Sequence, residues 1–405
     1  MLSPKLSICI PTYNRVSYLA TLLDHLEEVV AELPYAVEVV ISDNASSDTT
    51  LELLQAACDR LPLVVLRQTE NLGAVRNVSA AMRAAKGTYL VYLGDDDRLK
   101  PAALVDSITQ LDANPQAAGL YAPWEVLDLV SNTVTSHGYK QSQDVTIPQG
   151  NYARLMEHVA EHAIFSEICI LRGEAFRALQ PMINDLAFWA FTMPCEYLGY
   201  GDLIYASKPF YSSISRHFPG DKRSQQGIRD VMSAWDIYRG GVDYMYGLAL
   251  QHGGLTQQKQ VAAFVSYLPV ERMAKALELR LATGAGDPLE NYALAARLRG
   301  RGVVKHLPVP MEHLRNSAVI YFVCVKLPDT LKAEGVAIIG DCPETAVQQL
   351  NDIANLPVRH VSRAEDICEN DLVFDIGCKD DALVKQASTL ALGHMLEADL
   401  LKKFP

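Results

Sequence analysis

The segment TYLVYLGDDD, residues 88–97, joins an apolar run to three consecutive carboxylates. The apolar run is short and predicts a buried strand, and Gly87 before it predicts the end of a helix. Three adjacent carboxylates repel one another and cannot be buried without a compensating charge. We therefore predict a strand that ends in an acidic site for Mg²⁺ or Mn²⁺, with a solvated acidic turn as the alternative.

Three more pairs of strand and helix come before this segment. The alternation predicts an α/β protein with a doubly wound, mostly parallel sheet. Ligands bind such sheets beyond the carboxyl ends of the strands, and polar clusters follow the first, second and fourth strands here. The predicted strands are 6–10, 37–41, 63–67 and 88–93, and the predicted helices are 16–33, 49–61 and 74–85.

The rest of the chain changes character twice. We predict three parts, namely an α/β domain of residues 1–220, a helical region of residues 221–331 and a small Rossmann-like α/β module of residues 332–405. The module lacks a phosphate-binding glycine loop, so we expect it to serve structure or homo-oligomerisation through the C-terminal regions. Its predicted strands are 335–340, 358–361 and 371–376.

The bulk composition limits the partners. A net charge of −12 without a block of Lys or Arg predicts no nucleic-acid binding. Eight scattered cysteines, no secretory leader in the first ten residues and no apolar run of about 20 residues predict a cytoplasmic protein. The basic stretch 297–306 is compatible with contact at the inner face of a membrane, although a solvated helix end is the preferred explanation.

Several catalytic motifs are missing from the sequence. There is no G-x-G-x-x-G after the first strand, no G-x-x-x-x-G-K-[ST], no G-x-S-x-G and no H-E-x-x-H. Their absence excludes a dinucleotide-binding Rossmann domain, a P-loop ATPase, an α/β-hydrolase and an H-E-x-x-H zinc protease.

Polar residues after the other strands suit a nucleotide. Asp43 can accept hydrogen bonds from a base or ribose, or it can cap the next helix. Tyr13 can stack on a base and Arg15 can approach a phosphate, with a plain strand-to-helix turn as the alternative. Arg76 lies at the start of a helix, where a bound anion would favour it, or else it is a surface residue.

Four segments resemble the successive signatures of family 2 glycosyltransferases with the GT-A fold. The resemblance is clear over residues 6–99, fainter to about residue 217 and absent beyond. All four occur in order and at the family's spacing. They are SICIPTYNR (7–15), VVISDNASSD (39–48), NLGAVRN (71–77) and YLGDDDRL (92–99).

The resemblance implies a role for each matching residue. Many members carry Asp where this chain has Gly94, so the D-x-D motif of this chain begins either at the usual position or one residue later. The main metal ligand is accordingly either Asp96 or Asp97. A later segment, SISRH, resembles the part that returns to the diphosphate. The implied nucleotide-sugar contacts are Pro11, Thr12, Tyr13, Arg15, Asp43, Asn71, Arg76, Asp95, Asp96, Arg216 and His217, and the implied metal ligands are Asp95, Asp96, Asp97 and His217.

The resemblance therefore predicts an inverting, metal-dependent glycosyltransferase. Its donor would be a UDP- or dTDP-sugar, and its acceptor a hydroxyl of a saccharide, a lipid-linked molecule or a protein. Two alternatives are a sugar-nucleotide-binding assembly protein without turnover and a sugar-phosphate nucleotidyltransferase. The second would need a Gly- and Lys/Arg-rich loop after the first strand, and residues 11–15 contain no Gly.

An inverting transfer needs a carboxylate that takes the proton of the acceptor. Asp185 matches the family's base by position and opens an apolar stretch, although a helix start lowers the pKa of an Asp and suits an N-cap. Glu196 lies among apolar residues, which would raise its pKa and suit a base. We predict Asp185, with Glu196 as the second choice.

Overall fold

The computed structural model describes residues 4–164, 167–180, 186–221, 231–303 and 307–404. The chain forms two compact units, one of residues 1–225 with 236–269 and one of residues 226–235 with 270–405. The boundary between residues 269 and 270 falls inside the long helix Gln258–Thr283. This helix belongs to the predicted helical region 221–331, so each unit contains part of that region. The predicted division into three parts stays a prediction.

The bounds of the elements follow the chain in order. The strands are β1 (Leu6–Thr12), β2 (Val37–Asp43), β3 (Leu63–Arg67), β4 (Tyr89–Tyr92), β5 (Arg98–Leu99), β6 (Ala117–Tyr121), β7 (Trp124–Asp128), β8 (Thr133–His137), β9 (Val145–Ile147), β10 (Cys169–Arg172), β11 (Asp202–Tyr205), β12 (Tyr211–Arg216), β13 (Gly335–Gly340), β14 (Val358–His360), β15 (Asp371–Ile376) and β16 (Gly393–Leu396). The helices are α1 (Val16–Glu32), α2 (Thr50–Ala57), α3 (Ala74–Ala84), α4 (Pro101–Ala113), α5 (Tyr152–His162), α6 (Gly173–Leu179), α7 (Trp189–Tyr200), α8 (Trp235–His252), α9 (Gln258–Thr283), α10 (Pro288–Gly300), α11 (Met311–Tyr321), α12 (Leu327–Leu331), α13 (Glu344–Ile353), α14 (Asp381–Leu390) and α15 (Glu397–Lys403).

An eight-stranded sheet forms the centre of the first unit. Its strand order is β3-β2-β1-β4-β10-β6-β11-β9. Neighbouring strands from β3 to β4 pair in parallel, while β10 and β9 run antiparallel to their neighbours. The predicted α/β class with a doubly wound, mostly parallel sheet is confirmed. All four predicted N-terminal strands are present, and β1 and β2 each extend two residues further.

Helix α1 shows why these segments fold as they do. Its buried residues recur every three or four positions and form one apolar stripe, which packs with the buried residues of β1, β2 and β4. Burial of each such side chain contributes about 1.5–3 kcal/mol. The stripe consists of Leu19, Leu22, Leu23, Leu26 and Val29.

Strand register brings the predicted site residues to one edge of the sheet. Thr12 pairs with Asp43 at the carboxyl ends of β1 and β2. The backbone nitrogen of Leu93 donates to the carbonyl oxygen of Cys9, so the three aspartates begin beside Thr12. A second sheet, β5-β12-β7-β8, begins with the strand that follows the aspartates and adds β12 next to it. Residues from distant parts of the chain therefore meet at the aspartates.

The second unit contains its own sheet. Four parallel strands follow the order β14-β13-β15-β16. Helix α13 connects β13 to β14 and helix α14 connects β15 to β16, whereas a loop with one short 3-10 turn connects β14 to β15. The three strands predicted in the tail are confirmed, whereas β16 was not predicted because residues 393–396 are half exposed and lack an apolar run. In the described part of the chain, no helix is both long and apolar enough to span a membrane.

Candidate active site

The first two aspartates are held by β1 and by the turn after it. The hydroxyl of Thr12 donates to Asp95 Oδ2 at 2.8 Å. The Nη1 atom of Arg15 lies 3.2 Å from Asp95 Oδ1 and 2.6 Å from Asp96 Oδ2. The sequence suggested that Arg15 approaches a phosphate. In the structure its guanidinium compensates two carboxylates that would otherwise repel each other.

The third aspartate is bound by a different strand. Asp97 Oδ2 accepts from the hydroxyl of Tyr211 at 2.7 Å, and Asp97 Oδ1 accepts from the backbone nitrogen of Ile214 at 2.8 Å. The same hydroxyl accepts from the backbone nitrogen of Gly94 at 3.0 Å. Tyr211 therefore joins both ends of the turn to β12. Sequence reasoning missed Tyr211, because nothing local marks a tyrosine at the start of a strand as a partner of an aspartate.

Electrostatics at the turn favour a cation. Burial and the neighbouring Asp96 carboxylate raise the pKa of Asp95 to about 6, although Arg15 and Thr12 act against the shift. A group whose pKa is raised in this way carries its negative charge at a cost. The oxygen donors of Asp95, Asp96 and Asp97 form a hard ligand set that fits Mg²⁺ or Mn²⁺.

Asp43 is buried beside this turn with one oxygen unused. Its side chain is fully buried, and Oδ1 accepts from the backbone nitrogen of Ser46 at 3.1 Å. Its Oδ2 is also buried and has no hydrogen-bond partner among the described residues. Tyr13, at the exit of β1, is 42% exposed. A buried carboxylate oxygen without a donor is uncommon in folded proteins and indicates a place for a ligand.

An asparagine on α3 supports the floor of the site. The Nδ2 atom of Asn77 donates to the carbonyl oxygen of Ser42 at 2.9 Å and to that of Thr12 at 3.4 Å. Its Oδ1 accepts from the hydroxyl of Ser42 at 2.7 Å. Because these contacts tie α3 to β1 and β2, Asn77 fixes the ends of both strands. Pro11 lies half-buried in β1 at the same level.

Two predicted contacts at the start of α3 behave differently from each other. Asn71 Oδ1 accepts from Asn44 Nδ2 at 2.8 Å and from the backbone nitrogen of Gly73 at 2.9 Å, so Asn71 shapes the loop before the helix. Arg76 is exposed in the first turn of α3 and has no ion pair or hydrogen bond within the described residues. Its guanidinium is available to an anion at the helix N-terminus.

The two residues predicted in the SISRH segment, His217 and Arg216, have different contacts. His217 lies beside the aspartates, and its Nε2–H donates to the carbonyl oxygen of Asp96 at 2.8 Å. The ring would have to turn before Nε2 ligated a metal. Arg216 instead binds Asp128 through Nε at 2.9 Å, and this contact lowers the pKa of Asp128. The structure therefore brings His217, but not the guanidinium of Arg216, into contact with the aspartates.

Of the two predicted bases, only Glu196 lies among the described residues. Asp185 lies outside the described residues. Glu196 is half-buried on α7, and burial raises its pKa as expected. The ring of Trp189, at the start of α7, lies 6.2 Å from that of Tyr92 at the end of β4. Glu196 follows about 10 Å further along the helix. Glu196 therefore lies towards the edge of the sheet where β6 begins. Just after α7, the backbone nitrogen of Asp202 donates to the carbonyl oxygen of Gln116, the residue before β6.

A further carboxylate lies near the aspartates and was not predicted. Strand β10 runs antiparallel to β4, with Ile170 opposite Val91, so Glu167 precedes β10 at the edge where β4 ends. Burial raises the pKa of Tyr92 far above its ordinary value, and the charge of Glu167 adds to this more than that of Asp97 does. No motif marks Glu167, because its position depends on the pairing of two strands.

The N-terminal part of the chain matches a known family. Residues 7–149 match the family described as Glycosyl transferase family 2. These residues form a family 2 glycosyltransferase domain. The abequosyltransferase RfbV of Salmonella typhimurium is 37% identical to this chain over 110 residues, which are 27% of this chain and 33% of the relative. The chain spans about a third of the length of the curated relatives that it matches.

Two solved structures align with a part of the chain that extends beyond the residues 7–149 of the glycosyltransferase domain. One is TarS 1–349 of S. aureus in complex with UDP-GlcNAc, with 15% identity, coverage of 81% of this chain and 88% of TarS, and a TM-score of 0.49. The other is the mannosyltransferase PcManGT of Pyrobaculum calidifontis in complex with GDP-Man and Mn²⁺. Its identity is 18%, its coverage is 79% of this chain and 87% of PcManGT, and its TM-score is 0.43.

Replacement of Tyr211 tests the support of the acidic turn. Tyr211→Phe removes the hydroxyl that binds Asp97 and Gly94, so the half-buried carboxylate and the buried N–H each lose one hydrogen bond. We expect the free energy of unfolding to fall by about 1–3 kcal/mol. The matched control is Tyr197→Phe, because the hydroxyl of Tyr197 is buried without a partner in the described residues and its loss should be neutral or stabilising. Urea unfolding of both variants measures the difference, and equal stability would contradict this role of Tyr211.

Proposed function

We propose that the family 2 glycosyltransferase domain transfers a sugar from a nucleoside diphosphate donor to an acceptor hydroxyl. The observation that carries this proposal is the buried Oδ2 of Asp43, which has no partner in the described residues. Only β1 lies between the strand of Asp43 and the strand that ends at the aspartates. An N–H of a nucleobase or an O–H of ribose supplies the missing donor. The exposed ring of Tyr13 offers a surface on which that base can stack.

The donor in this proposal is a UDP- or dTDP-sugar. Uracil and thymine each carry an imide N–H, which a carboxylate accepts well. The diphosphate then extends towards the aspartates and the exposed Arg76, whose guanidinium is suited to phosphate. The name of the Salmonella relative, abequosyltransferase, supports a sugar as the transferred group. The acceptor is a hydroxyl of a saccharide, a lipid-linked molecule or a protein.

The acidic turn in this proposal holds Mn²⁺ or Mg²⁺ through Asp95, Asp96 and Asp97. When bound, the ion neutralises charge on the leaving diphosphate. Thr12, Arg15 and Tyr211 keep the carboxylates in place before a donor arrives. His217 braces the backbone of Asp96, and it remains a candidate ligand only with a turned ring.

The chemical step in this proposal is an inverting displacement. The acceptor oxygen forms a bond to the anomeric carbon while the bond from that carbon to the diphosphate oxygen breaks. The acceptor proton passes to a carboxylate, for which we propose Asp185. Glu196 is the weaker candidate, because it lies about 10 Å along α7 from the end that contacts β4.

Turnover with nucleotide sugars tests the proposed function. With UDP- or dTDP-sugars and Mn²⁺, we expect release of the nucleoside diphosphate, and EDTA should abolish it. Asp96→Ala should lower turnover by about 10²–10³-fold with an unchanged melting temperature, because it removes one of several crowded carboxylates. The control is Asp106→Ala, an exposed residue of α4. Release of pyrophosphate would favour a nucleotidyltransferase, and binding without release would favour an assembly protein.

Nucleotide affinity tests the role of Asp43. In Asp43→Asn the oxygen that binds Ser46 is retained while the unused oxygen becomes an amide nitrogen, so we expect UDP affinity to fall at least about tenfold. Stability should stay the same or rise. The control is Asp48→Asn, because Asp48 binds the backbone nitrogens of Thr50 and Val16 and should affect stability, not affinity. Calorimetry and thermal unfolding separate the two patterns, and equal UDP affinity in Asp43→Asn and wild type would refute this role.

Two isosteric variants test the base. We expect Asp185→Asn to lose turnover by about 10²–10⁴-fold while UDP affinity stays near that of the wild type, because only the proton acceptor is removed. Glu196→Gln should keep most of its turnover. Initial rates and calorimetry on both variants provide the comparison. An active Asp185→Asn with an inactive Glu196→Gln would make Glu196 the base.

A further inference from the structure

Helix α5 carries a cluster of metal-ligating side chains away from the acidic turn. Residues 158–162 read HVAEH, and His158, Glu161 and His162 share one helical face because they are three and four residues apart. One potential ligand atom from each of the three side chains lies within 4.8 Å of the other two. Two histidines four residues apart on a helix are a common arrangement for binding zinc.

His158 supplies a second and independent observation. Its side chain is fully buried, and neither ring nitrogen has a hydrogen-bond partner in the part of the chain that the structure describes. Its ring packs against the ring of Tyr205 at 4.6 Å and that of His162 at 4.8 Å. Burial of a polar ring without hydrogen-bond partners lowers the free energy of unfolding. Because burial lowers the pKa of His158 to about 4, the ring is neutral and offers a lone pair.

The cluster is open to solvent on one side. Glu161 is exposed and His162 is half-buried, so an ion can enter without opening the core. The neighbouring carboxylate of Glu157 is already occupied, since it accepts from the backbone nitrogen of Gln257 at 2.9 Å and from Thr256. The charge of Arg154, one turn earlier on α5, opposes a cation, and Glu161 offsets that charge.

We propose that His158, Glu161 and His162 form a zinc site at the end of α5. Two imidazoles and one carboxylate make three protein ligands, and water completes a tetrahedral shell. Imidazole nitrogen favours Zn²⁺ or Co²⁺, whereas the carboxylates of the acidic turn favour Mg²⁺ or Mn²⁺. The two sites therefore select different ions. The zinc ion joins two successive turns of α5 and stabilises the end of the helix, where Ala163 takes a left-handed conformation.

Metal binding by the 405-residue chain without a tag tests this proposal. After treatment with EDTA, the protein is titrated with Zn²⁺ by calorimetry and with Co²⁺ by visible absorption, which reports tetrahedral coordination. All titrations use the Asp96→Asn background, which weakens the acidic turn as a competing site. We expect one Zn²⁺ per chain, a tetrahedral Co²⁺ spectrum and a higher melting temperature with Zn²⁺.

Ligand variants locate the ion. His162→Ala and Glu161→Gln should each lower Zn²⁺ affinity at least about tenfold, and both should fold because the two residues are not buried. The matched control is His137→Ala, an exposed histidine of β8 that should bind Zn²⁺ like its parent. Weak binding without stoichiometry, or unchanged affinity in both ligand variants, would overturn the proposal. A Co²⁺ spectrum typical of octahedral oxygen ligands would overturn it as well.

Discussion

The burial of Asp95 at the end of β4 is the constraint on which the site depends. A carboxylate in this position loses its water and must find donors within the protein. Thr12 and Arg15 supply them from the end of β1 and the start of α1. Asp97 is satisfied from β12 in the same way. The chain must therefore bring two separate segments, the junction of β1 with α1 and the strand β12, to one turn. These segments belong to the two sheets of the first unit.

Polar groups in the first unit fall into two classes that have different meanings. Some have hydrogen-bond partners within the protein, such as Asn71, which shapes a loop, and Arg216, which binds Asp128. Others are buried without a partner in the described residues, and these include Asp43 Oδ2, the ring of His158 and the hydroxyl of Tyr197. An engaged group stabilises the fold, whereas an unsatisfied one costs free energy until a ligand arrives. An unsatisfied group becomes a candidate for ligand binding only where other ligand-binding side chains lie beside it, as they do at Asp43 and at His158.

Much of the fold was predictable because its signals are local. The strands of the large sheet are short apolar runs between turn residues, and α1 shows its stripe in its own sequence. The placement of Asp43 and the aspartates at one edge followed from the rule for parallel sheets. The roles of Arg15, Arg216 and Glu167 did not follow, since each depends on a partner or strand far along the chain. The cluster on α5 did not follow either, because its H-x-x-E-H order is the reverse of the H-E-x-x-H zinc motif.

The sequence by itself determined the alternation of strands and helices, the acidic turn after β4 and the family of the N-terminal domain. These features depend on neighbours a few residues apart, whose side-chain periodicity reports which face is buried. The tertiary structure alone decided which carboxylates are satisfied. Tyr211 reaches Asp97 across 114 residues, and Thr12 reaches Asp95 across 83. Such contacts arise from packing of the whole unit, because burial at long range leaves no periodic trace in the residues that meet.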